Sequence, residues 1–372
     1  MKKRILATLL VLCLLPLAGC LFTVNHPLFA PDGTMAVFLM EGNGYTLFPE
    51  EAVLHLLRDN EWMAIPAATV AEAGGLLDIS PDGTQLLYVE IESGEWFEPV
   101  QSTLYRVDMT ADAIPEVLLQ SEEIIARAEW MTNDAILVLR FGEEELGALE
   151  ALDPETGQLE SVFDDVLSFS VDPSTQTVFL LGVEQERDLA IGHFGRWDPV
   201  LDDGDELGSF IVSEGTAESF MTLPHDFFWD VSPDGRWLAL ALYDTAMLSP
   251  SAETDLPAIY LIDTEFGEAD RIAVEGLIPT FSPDGSLLTY LGTDDGLSSH
   301  VVACDLTTAE TYTISGTENA QTFFWIDAGR LGVTFEGEDD LARLVVIDPE
   351  LGTAVELLGI PAGEPIETPD EG

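Results

Sequence analysis

The chain has 372 residues, of which 69 are Asp or Glu and 13 are Lys or Arg, so its formal net charge is −56 at pH 7. A surface this negative repels nucleic acid and anionic lipid headgroups, which excludes binding to a phosphate backbone. Hydrophobic residues make up 47% of the sequence, which excludes disorder as the reason for the acidity. Two explanations stay open: a saline habitat in which charge maintains solubility, and a cationic or basic partner.

The first twenty residues have the pattern of a bacterial export signal. Lys2-Lys3-Arg4 precedes an apolar stretch over residues 5–19, which suits a signal-peptide core and is too short for a comfortable membrane span. The stretch ends in Leu17-Ala18-Gly19-Cys20, which resembles the lipobox of bacterial lipoproteins. The resemblance implies that residues 1–19 are removed, that Cys20 is acylated and that residues 20–27 form a lipid-anchored segment. An ordinary signal peptide with an incidental cysteine is the alternative.

Cysteine usage agrees with export and lipid anchoring. Cys13 leaves with the signal and Cys20 is acylated, so Cys304 alone remains and no intramolecular disulfide can form. Cys304 lies in an apolar run, which indicates a small buried hydrophobe rather than a nucleophile. We therefore expect an extracytoplasmic protein, anchored to the bacterial membrane or envelope through the acyl chains on Cys20.

A tight turn followed by an apolar strand recurs seven times along the rest of the chain. Pro presets the backbone of such a turn, Ser or Asp caps it, and Gly takes the position with positive φ. The clearest copies are Ala30-Pro31-Asp32-Gly33, Ser80-Pro81-Asp82-Gly83, Ser232-Pro233-Asp234-Gly235 and Ser282-Pro283-Asp284-Gly285. Weaker copies begin at Met131, Val171 and Ile326.

A second signal follows each turn, where an apolar strand ends in Asp, as at Asp108, Asp263 and Asp305. The fourth repeat lacks this Asp in the sequence pattern. The turns are about 40 to 60 residues apart, which is the length of a four-stranded propeller blade. The sequence therefore predicts an all-β fold, a seven-bladed β-propeller with four-stranded antiparallel blades over residues 28–359, followed by an acidic, Pro-rich tail over residues 360–372.

The turn and the strand after it resemble the repeat of the TolB-like, WD-repeat-like β-propeller family, whose repeats carry Ser-Pro-Asp-Gly ahead of an apolar strand. The resemblance covers essentially the whole chain after the signal, and it implies a fold rather than a function, because propellers host binding, scaffolding and catalysis alike. TolB itself carries an additional N-terminal α/β domain, for which this sequence leaves no room. A role in the Tol envelope system is therefore not expected.

Turn geometry predicts which loops meet at one end of the blades. In a four-stranded meander, the connections between strands two and three lie at the same end as the crossings between blades, and we call this the insertion end. Long connections are predicted there at residues 41–48, 92–99, 184–208 and 245–257. Because Trp, Tyr and Arg anchor interfaces, we predict that the partner contacts Tyr45, Trp96, Phe97, Arg187, His193, Phe194, Arg196 and Trp197. The alternative is that these side chains pack their own loops.

Metal binding is a weaker expectation. A divalent cation at the mouth of the central channel is an alternative because His26, His225, Glu122, Glu123, Asp164, Asp165 and Asp226 fall where strands cross between repeats. No ligand pair of His-x-x-x-His type supports it, and no cofactor is expected. The acidic run over residues 202–206 lacks the ligand order of a calcium loop and is predicted to be a solvated loop.

The pattern favours a non-enzymatic module that binds a protein or peptide and does not bind nucleic acid. No Gly-x-Ser-x-Gly elbow and no phosphate-binding loop occurs in the sequence. The alternative is a propeller hydrolase or lyase that acts on glycans or peptides through a metal or a carboxylate and histidine site at the channel mouth. A purely structural envelope protein is a third interpretation.

Overall fold

The computed structural model describes residues 26–40, 51–58, 61–70, 73–93, 99–142, 147–172, 175–186, 189–199, 201, 203–212, 229–242, 258–264, 268–273, 276–293, 298–336, 342–349 and 354–356. These residues form 27 β-strands and no α-helix. The strands are grouped into six sheets in the described part of the chain, and every hydrogen-bonded pair of neighbours is antiparallel.

Five of the described sheets have four strands each, taken in chain order. The first contains β1 (Leu28–Phe29), β2 (Met35–Met40), β3 (Ala52–Arg58) and β4 (Glu61–Val70), and the second contains β5 (Ala73–Ile79), β6 (Gln85–Ser93), β7 (Pro99–Asp108) and β8 (Glu116–Ser121). The third is described below. The fourth contains β16 (Trp229–Val231), β17 (Trp237–Leu242), β18 (Ala258–Asp263) and β19 (Glu268–Ala273). The fifth contains β20 (Leu277–Phe281), β21 (Leu287–Thr293), β22 (Ser299–Asp305) and β23 (Thr311–Thr313), and the sixth contains β24 (Ala320–Asp327), β25 (Arg330–Glu336), β26 (Ala342–Ile347) and β27 (Ala354–Glu356).

The third sheet joins two sequence repeats. It has seven strands in the order β15-β14-β13-β12-β11-β10-β9, namely β9 (Ile124–Thr132), β10 (Ala135–Phe141), β11 (Gly147–Leu152), β12 (Leu159–Val171), β13 (Val178–Glu186), β14 (Leu189–Asp198) and β15 (Asp203–Val212). The 13-residue β12 pairs with β11 along its first part and with β13 along its second part. It therefore ends the third repeat and begins the fourth. Asp165, at the change of partner, has a φ of +61°.

The predicted turn chemistry is confirmed in the repeats with the clearest motif. Ser80 Oγ donates to Asp82 Oδ1 at 2.8 Å and accepts from Gln85 N at 2.9 Å, while Gly83 N donates to Ser80 O and has a φ of +72°. Ser232 and Ser282 make the same bonds in the fourth and fifth sheets. The hydrogen bonds from Thr84 and Ser80 lower the pKa of Asp82, because they favour the ionised carboxylate.

The region over residues 184–208 corrects one prediction. It is not a long insertion, because β13, β14 and β15 pass through it as the last three strands of the fourth repeat. Asp198 ends β14 and accepts from Leu201 N at 3.1 Å, so it supplies the strand-ending Asp that this repeat was predicted to lack. The run over residues 202–206 was also read wrongly, because Asp203–Glu206 begin β15 rather than forming a loop. The glycines and charged residues of this region interrupt the apolar pattern from which strands are predicted.

The sheets contact one another in cyclic order. β1 lies against β5, β5 against β9, β16 against β20 and β22 against β24. The third and fourth sheets meet where Trp229 Nε1 donates to Ser168 Oγ at 2.8 Å. The sixth sheet returns to the first, since the rings of Phe324 and Phe29 stack with centroids 6.1 Å apart. The first strands of the third to sixth sheets, β9, β16, β20 and β24, line one shared cavity.

Candidate functional site

Two of the cavities in the described part of the chain contain residues predicted to act in binding. The central cavity has a volume of about 200 Å³ and is lined by His26 and by residues of β9, β12, β16, β20 and β24. The other, which we call the inter-repeat groove, has a volume of about 380 Å³ and is lined by residues of β12, β13, β14 and β15.

Three carboxylates connect the first strands of successive repeats. Asp78 Oδ2 accepts from Trp130 N at 2.7 Å, Glu129 Oε2 from Val171 N at 2.7 Å and Asp230 Oδ2 from Phe281 N at 2.7 Å. Their equivalence follows from register, because each pairs with the third residue of the next strand, namely Leu87, Leu137 and Ala239. We call Asp78, Glu129 and Asp230 the cross-repeat carboxylates.

The cross-repeat carboxylates were not predicted from the sequence. Each lies two residues before the turn serine or its counterpart, at Ser80, Met131 and Ser232. An acid at one fixed offset from three of the turns was the available signal. A hydrogen bond from a backbone N–H to a carboxylate is stronger than a hydrogen bond between two neutral groups. These contacts therefore stabilise the packing of successive repeats.

Charge near Asp78 is unusual. Burial, followed by the nearby charge of Glu129, raises the pKa of the Asp78 carboxyl to about 8, although Arg127 and two backbone N–H groups act in the opposite direction. Arg127 Nε donates to Glu129 Oε1, and its guanidinium lies 5.8 Å from the ring centroid of Phe169. Asp78 therefore carries its proton at neutral pH, which allows two acids to lie close together without a large repulsive cost.

The junction between the last and first sheets uses an aromatic contact at the equivalent position. Phe324 pairs with Gly332, as Asp78 pairs with Leu87, and its ring stacks on Phe29 and meets His26 edge-on at 6.1 Å. A Cβ on Gly332 would lie 2.4 Å from the Phe324 ring. Glycine at residue 332 therefore makes room for this contact.

The described members of the predicted set of channel-mouth ligands lie in different places. Among the described residues, no group of three or more His, Cys, Asp or Glu side chains is placed to hold a metal ion. Glu123 lies 2.8 Å from Arg140, whereas Asp164 and Asp165 line the inter-repeat groove, and His26 lines the central cavity. His225 and Asp226 lie outside the described residues.

The inter-repeat groove contains several residues predicted to contact a partner. His193, Phe194, Arg196 and Trp197 lie in β14, opposite Gly182, Leu181, Phe179 and Val178 of β13. Because Val178 is the first residue of β13, Trp197 lies at the end of the fourth repeat where the turn after Val171 lies, and its predicted place at the insertion end is wrong. Trp197 is half-buried and meets Phe163 of β12 edge-on, with ring centroids 5.4 Å apart.

Phe194 is part of the core rather than a contact residue. Its side chain is 3% exposed and packs near Trp229, with ring centroids 6.1 Å apart. The prediction that Phe194 lies exposed for a partner is therefore wrong. It fails because Phe194 faces the fourth sheet across the gap between repeats, while Trp197 and His193 lie on the other face of β14.

The charges around the groove are arranged in cross-strand pairs. His193 Nδ1 lies 3.0 Å from Glu206 Oε1, and Arg196 Nη2 lies 3.0 Å from Asp205 Oδ2. Both acids belong to the run that was predicted to be a loop. Four of the predicted contact residues, Tyr45, Trp96, Phe97 and Arg187, lie outside the described residues, as do Cys20 and the signal.

Solved structures resemble this arrangement of sheets at low sequence identity. The β-propeller domain of the trilobed protease from Pyrococcus furiosus matches with a TM-score of 0.61 at 14% identity, covering 94% of this chain and 99% of that domain. The chain has a β-propeller fold. An oligogalacturonate lyase in complex with manganese matches with a TM-score of 0.54 at 11% identity over 91% of this chain and 85% of that one.

TolB from Acinetobacter baumannii also matches this propeller, with a TM-score of 0.48 at 14% identity over 89% of this chain and 77% of that one. The two likenesses with TM-scores of 0.61 and 0.54 show the fold alone. No protein-family model and no curated protein matches the sequence. Over the described part of the propeller, no helix has the length and apolar character needed to cross a bilayer.

Proposed function

We propose that this chain is a lipid-anchored, extracytoplasmic, seven-bladed propeller that binds a protein or peptide without catalysis. The blade count is supported by the strand count, because seven repeats of four strands give the 27 described strands when β12 serves two repeats. The anchor is supported by the Leu17-Ala18-Gly19-Cys20 sequence. The ligand would be held by side chains on blade surfaces, as in other repeat proteins.

The hydrogen bonds that the cross-repeat carboxylates accept are the observation that favours binding over catalysis. Two oxygens of Asp230 accept from Val231 N and Phe281 N, at 2.8 and 2.7 Å, and Asp78 is bonded in the same way to Ile79 N and Trp130 N. Carboxylates that accept backbone N–H groups on both oxygens are held by the fold. A general acid or base must instead reach the proton it transfers. The larger open groove is the better place for a ligand.

A second candidate function is a propeller lyase or hydrolase that uses the central cavity. It is favoured by the raised pKa of Asp78 and by Arg127, which lines the cavity and donates to Glu129, since perturbed groups collect at catalytic sites. Elemental analysis of the purified protein separates the two functions. A stoichiometric divalent metal, together with turnover of an oligosaccharide or peptide, would favour the enzyme.

The anchor is tested by metabolic labelling with an alkynyl fatty acid. Wild type and Cys13→Ser should be labelled and recovered with membranes, whereas Cys20→Ser should be unlabelled and unprocessed at this position. Cys13 is the matched control because it lies in the same apolar stretch. Normal labelling of Cys20→Ser would show that the lipoprotein interpretation is wrong.

Partner binding is tested by crosslinking in native envelope followed by affinity purification. Trp197→Ala should reduce recovery of the specific partner, while Ile114→Ala should not, since Ile114 is 82% exposed and lies in the connection between β7 and β8, away from the groove. Each variant is first compared with wild type by thermal unfolding. Equal recovery of every crosslinked protein by wild type and by an untagged control would contradict a binding function.

A further inference from the structure

We propose that the inter-repeat groove binds a basic peptide segment, with an Arg or Lys side chain seated beside Trp197 and the carboxylates of Asp164, Asp165 and Glu206. This inference rests on the proposed binding function and adds the chemical class of the ligand. Its support comes from the shape, the charge and the aromatic surface of the groove.

The shape of the groove follows from three glycines, which have no side chain to fill it. Gly182, Gly195 and Gly204 lie on successive strands β13, β14 and β15 and all line the cavity. In register, Gly182 is opposite His193 and Gly204 is opposite Trp197, so the two larger side chains stand at either end of a floor of backbone. The resulting volume of about 380 Å³ is open on one side, which suits a peptide side chain rather than an enclosed small molecule.

The charge of the groove is negative after its internal pairs are counted. His193 lies beside Glu206 and Arg196 beside Asp205, whereas Asp164 and Asp165 are exposed on the opposite wall, on β12. Four acids thus line the groove with one guanidinium and one imidazole. A cationic group entering from solvent gains attraction from Asp164 and Asp165 without having to displace an existing pair.

The aromatic surface favours Arg or Lys over a bare metal ion. The edge-on contact of Phe163 with Trp197 fixes the indole, which is half-buried and lines the groove. A guanidinium or ammonium over an indole face is attracted by its quadrupole, and neighbouring carboxylates strengthen the site. The aliphatic part of the same side chain packs against the apolar wall formed by Val166 and Leu180.

Segments of this chain are poor occupants. Residues 357–372 contain four acids and no Lys or Arg, and the whole chain has a net charge of −56, so neither the tail nor a second copy complements the groove. No Lys occurs after residue 3. The complementary partner is therefore a different, basic protein.

The probe for the test is a synthetic peptide, acetyl-Gly-Leu-Arg-Leu-Arg-Gly-amide, titrated into the purified mature protein by calorimetry at low salt. Its control replaces both arginines with citrulline, which keeps the shape and removes the charge. We expect Asp164→Asn/Asp165→Asn to weaken binding of the arginine peptide by about tenfold or more, because two attractive charges are lost. Asn at residue 165 tolerates the left-handed backbone, so the fold is retained.

The matched control variant is Asp112→Asn/Asp134→Asn, which removes the same charge from exposed residues of the second and third sheets. We expect this control to bind the peptide like wild type. Equal affinity for the citrulline peptide, or equal weakening in both double variants, would overturn the inference. If the peptide does not bind wild type, the inference also fails. If envelope crosslinking still captures the partner with Asp164→Asn/Asp165→Asn, the binding function stands and the groove is not its site.

Discussion

The indole Nε1 of Trp325 donates to Oγ1 of Thr289 at 3.0 Å, across the junction of the fifth and sixth sheets. Trp130 occupies the equivalent position in the third sheet, facing the second sheet, because Trp130 and Trp325 pair with the second residues of β10 and β25, namely Ile136 and Leu331. At the place of Thr289 the second sheet has Leu87. Trp130 Nε1 is buried and has no acceptor among the described residues.

We expect Thr289→Val to destabilise the protein by about 1–3 kcal/mol, because it keeps the shape of the buried side chain at residue 289 and leaves the half-buried Trp325 N–H without its acceptor. The Thr289 hydroxyl also donates to Thr280 O at 2.8 Å, which adds to the loss. Urea unfolding measures the change. In a Trp325→Phe background the same substitution should cost less, and an equal cost in both backgrounds would show that the indole contact contributes nothing.

Gly332→Ala should destabilise the junction between the sixth and first sheets by about 1–3 kcal/mol, as overpacking does in a filled core. The added Cβ would meet the Phe324 ring at 2.4 Å and force it away from Phe29. Thermal unfolding measures the effect. The double variant Gly332→Ala/Phe324→Leu should lose less stability than the two single variants together, and strict additivity would contradict the proposed clash.

Asp78 predicts a pH dependence whose sign is set by its raised pKa. The folded protein keeps a proton that the unfolded chain releases above its ordinary value of 3.8, so stability from Asp78 is fully present below about pH 4 and is lost as the pH rises to about 8. Asp78→Asn replaces the titrating carboxyl with an amide and so removes this pH dependence. The free energy of unfolding of the variant should therefore rise relative to wild type between pH 5 and pH 8, by about 1 kcal/mol or more.

The matched comparison for this pH series is Asp112→Asn, which removes an exposed carboxylate of the second sheet. Urea unfolding of both variants and wild type at several pH values gives the comparison. A constant difference between Asp78→Asn and wild type over this range would mean that the Asp78 carboxyl is ionised in the folded protein.

Stability at neutral pH should rise with salt, because the formal charge of −56 is self-repelling and added ions shorten this repulsion to about 3 Å at 1 M. NaCl and KCl should act alike, since screening does not distinguish them. Melting temperatures at low and molar salt provide the measurement. A melting temperature that stays constant or falls as salt is added would contradict this prediction.

Local chemistry explains which features could be predicted from the sequence. The Ser-Pro-Asp-Gly turns were predictable because the Ser80, Asp82 and Gly83 contacts close within six residues of chain. The strands after these turns were predictable because their residues are apolar on both faces, as in Met35–Met40. Turn and strand together were enough to predict a propeller, which the structure confirms.

Long-range pairing explains what was missed. The residues of β14 and β15 resemble an insertion in the sequence because their glycines and charges interrupt the apolar pattern. In the structure the two strands pair from Ala190 to Asp198, and His193–Glu206 and Arg196–Asp205 lie across the pair. Phe194 and Trp197 are three residues apart, yet they face different neighbours. The hydrogen bond between Asp78 and Trp130 spans 52 residues, and nothing local to either residue predicts it.

The shared strand β12 also bears on how such a chain could change during evolution. A repeat protein gains or loses units most easily where each unit has its own strands, so that a cut falls in a connecting loop. Between the third and fourth repeats there is no such loop, because Leu159–Val171 belongs to both. Duplication or deletion of one of these repeats would divide a continuous strand. We therefore expect the pair to be inherited as a unit, while the repeats on either side are free to be exchanged singly.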